Sequence, residues 1–369
     1  MSKGLVFNLA KIALAATLLW YVVNAAGGVE SIVAALSRIE REGWLIGLGL
    51  VLTANVLAML RWHMLMKTAG LKSTPWLALR LGFLGVFFNN VVPGLTGGDL
   101  VKAVYVTREN PQQRSAAVVS VIVDRILGIV ALAAIAAVVI PFDFERYGQA
   151  ALGIYGFLGA AAIGGVFGVS RRAKAKLKGV LLRLGLSEKT PGASALAKLD
   201  QAVSTYRDRV GVVMVALVMS ATVHMLIIVA LLVFGQALSS GQLETLDPQQ
   251  TERAAELHAF HDLGLDVYTS IVPIIMIISA LPIAPAGWGV GEEAFKHFFE
   301  LVGIVALDAT ALSLTYRLTA MLVSLLGGVF FVMDRKRVLE AASGDDDDPA
   351  DNPAGPDAVA LDGDPNKHG

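Results

Sequence analysis

Apolar residues run along this chain in blocks long enough to cross a membrane, separated by short polar segments. A helix needs about 20 apolar residues to span a hydrocarbon core of roughly 30 Å. Six blocks approach or reach that length: Leu5–Ala26, Trp44–Leu60, Ser115–Ile140, Gln149–Val169, Val210–Phe234 and Asp308–Met333. Each predicts a spanning helix. The first carries Val23-Asn24-Ala25, which resembles a secretory cleavage site, but its stretch is long and holds Lys11, so it reads as a retained anchor.

Two further apolar tracts are interrupted. Trp76–Val106 is broken by Asn89, Asn90, Pro93, Gly94, Gly97 and Gly98, and Tyr268–Leu301 by Pro282, Pro285, Gly287, Gly289 and Gly291. Proline removes a backbone donor and glycine is a poor helix former, so neither break continues a helix. Charge asymmetry then assigns sides. Arg171–Lys189 holds Arg171, Arg172, Lys174, Lys176, Lys178, Arg183 and Lys189 against Glu188, which places it in the cytoplasm. Counting spans from there puts Arg61–Pro75 and Thr107–Arg114 inside, so Trp76–Val106 enters and returns on one side. The acidic segment Gly235–Asp266 falls outside and Arg335-Lys336-Arg337 inside, so Tyr268–Leu301 returns on the other. One re-entrant hairpin is expected to dip from each side, with both termini cytoplasmic.

The spacing suggests a duplication. Pro93 and Pro285, Gly97 and Gly289, and Arg125 and Arg317 are each separated by 192 positions. Opposite sidedness and a shared offset predict an inverted repeat, an architecture that places transport sites at the midplane where broken helices meet. Irregular backbone at that depth must be buried in protein or line a wet cavity. The expected fold is all-α: a polytopic transmembrane bundle with two broken-helix hairpins. Its parts are an anchor and loop (1–43), a first repeat (44–148), a connecting span and basic segment (149–209), a second repeat (210–337) and an acidic tail (338–369).

Composition agrees. Of 369 residues, 55% are hydrophobic and 17% charged, against about 25% charged in soluble domains. With no cysteine, disulfide scaffolds, thiolate metal clusters and cysteine nucleophiles are excluded. The net charge of −1 conceals two regions. From Gly344 onward eight aspartates face Lys367, a balance of −7, which leaves +6 on the rest. So polar a tail cannot bury enough surface to fold and is expected to be disordered.

Charges at membrane depth are costly and usually paired or functional. They are Asp99 and Lys102 after the first break, Asp124 and Arg125 on the next span, Glu292, Glu293 and Lys296 after the second break, and Arg317 on the last span. Guanidinium stays charged and grips phosphate bidentately, so Arg125 and Arg317 are candidate anion ligands, with Lys102 as a third cation. Asn89, Asn90 and Trp288 sit in the breaks and join the candidate substrate site. Asp99, Asp124, Glu292 and Glu293 are candidates for charge balance or proton coupling, although Glu293 and Lys296, at i and i+3, suit a local pair. His224 reads as an interhelical hydrogen-bonding residue, Arg80 as snorkelling to the interface, and Trp44, Trp62 and Trp76 as an aromatic belt. Ala193–Arg209 reads as a surface helix, and His258 and His261 as loop surface. No metal or cofactor is expected, and no P-loop, H-E-x-x-H or G-x-S-x-G motif is present.

Arg61-Trp62, the run from Asn89 to Asp99 (NNVVPGLTGGD) with Lys102, Asp124-Arg125, and the run from Pro285 to Glu292 (PAGWGVGE), in this order, resemble the lysylphosphatidylglycerol synthase transmembrane, or flippase-like, family. That family commonly has glutamate and arginine where this chain has Asp99 and Lys102. The resemblance implies a multi-pass protein of the bacterial or archaeal cytoplasmic (inner) membrane, associated with lipid movement between leaflets. Founding members carry an aminoacyl-transferase domain where this chain has its acidic tail, so lipid aminoacylation is not expected. The expectation is a non-enzymatic translocase for a phosphate-bearing lipid. Its partners would be membrane lipids and a separate lipid-modifying enzyme, and nucleic acid is not among them. An embedded enzyme acting on lipid or polyprenyl phosphates and a small-solute transporter are the alternatives.

Overall fold

A computed structural model describes residues 17, 20–21, 23–24, 28–91, 97–143, 152–159, 205–206, 209–280 and 288–333. Among them all regular structure is helical. In chain order the helices are α1 (Val29–Ser37), α2 (Arg41–Thr68), α3 (Pro75–Val91), α4 (Gly97–Glu109), α5 (Arg114–Val139), α6 (Val210–Leu243), α7 (Thr251–His261), α8 (Leu265–Ala280), α9 (Val290–Glu300) and α10 (Ala306–Met333). Two units partition the chain, Met1–Met333 and Asp334–Gly369; the second lies outside the described residues, and with it the expected disordered tail.

Among the described residues four helices are long and apolar enough to cross a membrane: α2, α5 with its preceding turn, α6 and α10. A fifth span arises if α7 and α8, bent by 81° at a short break, are taken together. The protein is therefore multi-pass. At 1.5 Å per residue the 28 residues of α2 reach about 42 Å and the 34 of α6 about 51 Å, beyond the hydrocarbon thickness. With 17 and 16 residues, α3 and α8 fall short of a comfortable span.

Several expected boundaries move. The helix expected to end at Leu60 continues to Thr68, because Arg61 and Trp62 turn into the bundle and are buried instead of marking an interface. The helix expected to stop at Phe234 runs on to Leu243. Its added polar residues satisfy themselves on the preceding turn: Ser239 Oγ donates to the Gly235 carbonyl (2.9 Å) and Gln242 Nε2 to that of Leu238 (3.2 Å). His258 and His261 lie in helix α7, not in a loop. Of Leu5–Ala26 five residues are described, all helical, and of Gln149–Val169 only 152–159, also helical. Most of Ala193–Arg209 lies outside the described residues, yet Tyr206 is buried and its hydroxyl donates to the Leu65 carbonyl (3.1 Å).

Helix α6 is the hub, packing on α2, α5, α7, α8 and α10. Lipid offers no hydrophobic drive between helices, so close approach of small residues must do the packing. Accordingly Ala216, Ser220, Ala230, Ala237, Ser239 and Gly241 are all buried on α6, and Gly47 of α2 lies so close under the Phe234 ring that any Cβ there would overlap it.

Around this hub the two broken tracts pack reciprocally. Helix α3 lies against α4 and α10, while α8 lies against α9 and α5; α4 then packs on α5, and α9 on α10. Each entering arm thus contacts the span that follows the other tract.

Candidate functional site

The first cluster is built by the approach of α3 and α4. Asn89, near the end of α3, accepts a hydrogen bond from the Gly98 N–H (2.9 Å) and so joins the two arms. A Cβ at Gly98 would overlap the Gly85 carbonyl oxygen, so only glycine permits this backbone contact. Asp99 follows in the first turn of α4, where the helix dipole favours a carboxylate. Its Oδ2 lies 2.5 Å from Arg125 Nη1 on α5. Lys102, one turn on, places Nζ 3.9 Å from Asp99 Oδ1 and 5.4 Å from the centre of the Trp62 ring. The Arg125 side chain is 49% exposed.

The second cluster repeats the chemistry with different wrapping. Gly289 has a φ of +77°, a left-handed conformation that suits glycine, and it opens α9. Its N–H donates to Glu292 Oε2 (2.7 Å), while Glu292 Oε1 lies 2.5 Å from Arg317 Nε on α10. Trp288 covers the guanidinium, 4.3 Å from ring centre to Arg317 Cζ. Gly291 leaves the arginine room: a Cβ there would stand 2.9 Å from Arg317 Nη2. Glu292 is fully buried and the Arg317 side chain is 17% exposed, so this cluster is closed where the first is open.

The remaining sequence-predicted residues divide. Pro93, Gly94, Pro285 and Gly287 lie outside the described residues. Asn90 donates to the Val86 carbonyl of its own helix (3.1 Å). Glu293 and Glu300 each lie 3.7 Å from Lys296, whose Nζ also meets the Tyr21 hydroxyl (3.4 Å) and ring. His224 Nε2 pairs with the Gly128 carbonyl (2.9 Å), tying α6 to α5. Trp44 Nε1 donates to Thr319 Oγ1 on α10 (3.1 Å), whereas Trp76 is exposed at the start of α3. Trp62, buried, donates from Nε1 to Ser120 Oγ (3.4 Å). Among the described residues no group of three histidines or carboxylates gathers as metal ligands.

Asp124 belongs to a different structure. Its Oδ1 accepts from Arg61 Nε (2.8 Å), and Arg61 Nη1 donates to Ser220 Oγ (2.6 Å), so one buried arginine ties α2, α5 and α6 together. The sequence marks Arg61 as a loop charge and as part of the Arg61-Trp62 motif, but not as a partner of Asp124. A second clamp was not anticipated. Arg253 on α7 holds Asp308 of α10 through Nη2–Oδ1 (2.6 Å) and Nη1–Oδ2 (2.9 Å), and also reaches Glu256 (2.8 Å) and Gln242 (3.1 Å). The signal was present: Arg253 follows Arg61 by the same 192 positions that separate Arg125 and Arg317.

The two kinds of pair differ chemically. The clamps saturate their arginines with fixed protein acceptors. In the first cluster Lys102 and Arg125 share one carboxylate, Asp99, leaving an excess positive charge beside a half-exposed guanidinium. Such a site can exchange Asp99 for an incoming anion without creating an uncompensated charge.

Residues 8–246 match the family model described as the lysylphosphatidylglycerol synthase TM region. The match takes in α1 to α6 with the first cluster and ends before α7, so the second cluster lies beyond it. No curated protein matches the chain.

Proposed function

The chain belongs to the lysylphosphatidylglycerol synthase transmembrane family, a membrane-protein family related to lipid handling, and we propose that it is a translocase moving a phosphate-bearing lipid between leaflets of the cytoplasmic membrane. The observation that carries this reading is the duplicated carboxylate–arginine pair, Asp99–Arg125 and Glu292–Arg317, each joining the arm after a break to the span that follows. In this reading the two broken tracts are re-entrant hairpins of an inverted repeat, and the reciprocal packing of α3 on α10 and α8 on α5 supports it.

The lipid phosphate displaces a carboxylate from its arginine and takes over the pairing, while the acyl or isoprenyl tails stay in the bilayer. The open Asp99–Arg125–Lys102 cluster receives the headgroup first. Closure under Trp288 keeps the Glu292–Arg317 pair sealed until one half rocks against the other. Passage downhill needs no energy source, and Asp99 and Glu292 are the groups that would carry a proton for coupling. Both termini lie in the cytoplasm. The test is reconstitution in liposomes with a headgroup-labelled phospholipid whose leaflet is reported by a membrane-impermeant quencher. Proteoliposomes should exchange lipid between leaflets faster than protein-free vesicles, and equal rates would contradict the reading.

A further inference from the structure

The first cluster has an unequal charge count. Asp99 answers both Arg125 (2.5 Å) and Lys102 (3.9 Å). The neighbouring Asp124 is committed elsewhere, its Oδ1 accepting from Arg61 Nε (2.8 Å), so that pair cancels itself. Farther along the two arms, Arg80 and Arg108 stand nine positions from Asn89 and Asp99, about 14 Å along each helix. The sequence between α3 and α4, 92–96, holds no charged residue. Among the described residues the cluster therefore gathers two cations around one carboxylate.

Lys102 is built into this arrangement. Its stem lies across Gly85 of α3, where a Cβ would stand 2.5 Å from Lys102 Cε, and its Nζ sits 5.4 Å from the centre of the Trp62 ring. The ring quadrupole attracts a cation so placed. Trp62 is itself fixed, buried with Nε1 donating to Ser120 Oγ (3.4 Å). Asp99 and Lys102 are three positions apart on one helix, a spacing at which they can pair without Arg125.

Arg125 opens the other way. Its side chain is half-exposed. Ile122 and Ile126, on either side of it along α5, are exposed as well, as is Leu100 next to Asp99. Such an apolar rim suits lipid tails and offers a hydrated ion nothing in place of its water.

We infer that Asp99 sets the charge class of the headgroup: with Lys102 it makes the first cluster a site for a lipid phosphodiester, a monoanion, in preference to a phosphomonoester dianion. The inference rests on the translocase reading in taking this cluster as the headgroup site. As the phosphate takes Arg125, Asp99 falls back on Lys102, and the charges sort into two balanced pairs. A phosphomonoester loses its second proton near pH 6 and then brings one negative charge more. At membrane depth that surplus is costly.

Native mass spectrometry of the full chain in detergent tests it, with dioleoylphosphatidylmethanol and dioleoylphosphatidate as separate probes at about pH 8.5, well above the second phosphate pKa. The two lipids share their tails and differ by one methyl group and one charge. The unaltered chain should hold phosphatidylmethanol about tenfold more tightly than phosphatidate. Asp99→Asn leaves two cations unanswered and should reverse that order. Lys102→Gln strands Asp99 once the phosphate arrives and should weaken phosphatidylmethanol about tenfold. Lys102→Arg should restore it, which separates charge from misfolding. Equal binding of the two lipids by the unaltered chain would overturn the inference. So would an unchanged order in Asp99→Asn, or unchanged phosphatidylmethanol binding in Lys102→Gln. Dimethyl phosphate, the same monoanion without tails, bound as tightly as the lipid would also overturn it. Detergent has no leaflets, so this preference is read apart from lipid exchange. A chain that discriminates the lipids without exchanging them sinks only the translocase reading, and one that exchanges them without discrimination sinks only this one.

Discussion

Glu292 is fully buried on α9 with Oε1 2.5 Å from Arg317 Nε on α10. An ion pair at this depth is retained at a desolvation cost, and breaking one partner leaves the other charge exposed to a medium that cannot solvate it. The same relationship holds between Asp99 and Arg125, but there the arginine side chain is 49% exposed. One pair is closed and the other accessible.

Replacing one member of the closed pair is therefore expected to be expensive. Glu292→Gln should destabilise the protein by about 3 kcal/mol, the lower end for a broken buried pair because Arg317 keeps some exposure. Thermal unfolding in detergent would report it as a lowered midpoint. Glu292→Gln/Arg317→Gln should recover part of the loss, since no charge is then stranded.

Gly98→Ala should drive α3 and α4 apart, because the new Cβ would overlap the Gly85 carbonyl oxygen. Forcing a methyl into such a contact costs about 1–3 kcal/mol. Gly49→Ala on α2 is the control. Nothing lies within 4 Å of a Cβ at Gly49, and alanine is a better helix former by about 1 kcal/mol. Unfolding midpoints of the two variants should move in opposite directions.

Arg61→Lys should cost about 1–2 kcal/mol, because a single ammonium cannot reproduce a fork that meets Asp124 and Ser220 together. Arg61→Met should cost more, about 3–5 kcal/mol, as it strands the Asp124 carboxylate. Ser220→Ala removes one bond and should cost about 1 kcal/mol. Denaturation of the three variants in one detergent would rank them.

Local sequence reports these elements unevenly. The four long spans could be read because twenty apolar residues in a row have few alternatives, whereas Pro93 and Pro285, on which the expected breaks rest, lie outside the described residues. Arg61–Asp124 could not be read in the same way: its members are 63 residues apart and meet only once α2 packs against α5. Trp62 misled for a related reason. A tryptophan beside an arginine looks interfacial, yet burial in the bundle gives its indole N–H a partner in Ser120 and its ring a cation in Lys102. The helix of α6 outran its apolar block because serine and glutamine can bond to their own preceding turn. For the Arg253–Asp308 clamp the spacing of 192 carried the information, but only a structure shows what the arginine holds.

The most direct test of the central claim is lipid exchange by Arg125→Gln and Arg317→Gln in the liposome assay, measured beside the unaltered chain at matched protein density. If the arginines carry the headgroup phosphate, each variant should slow exchange about tenfold or more, equivalent to at least 1.4 kcal/mol of lost interaction. Exchange at the unaltered rate in both arginine variants would contradict the account.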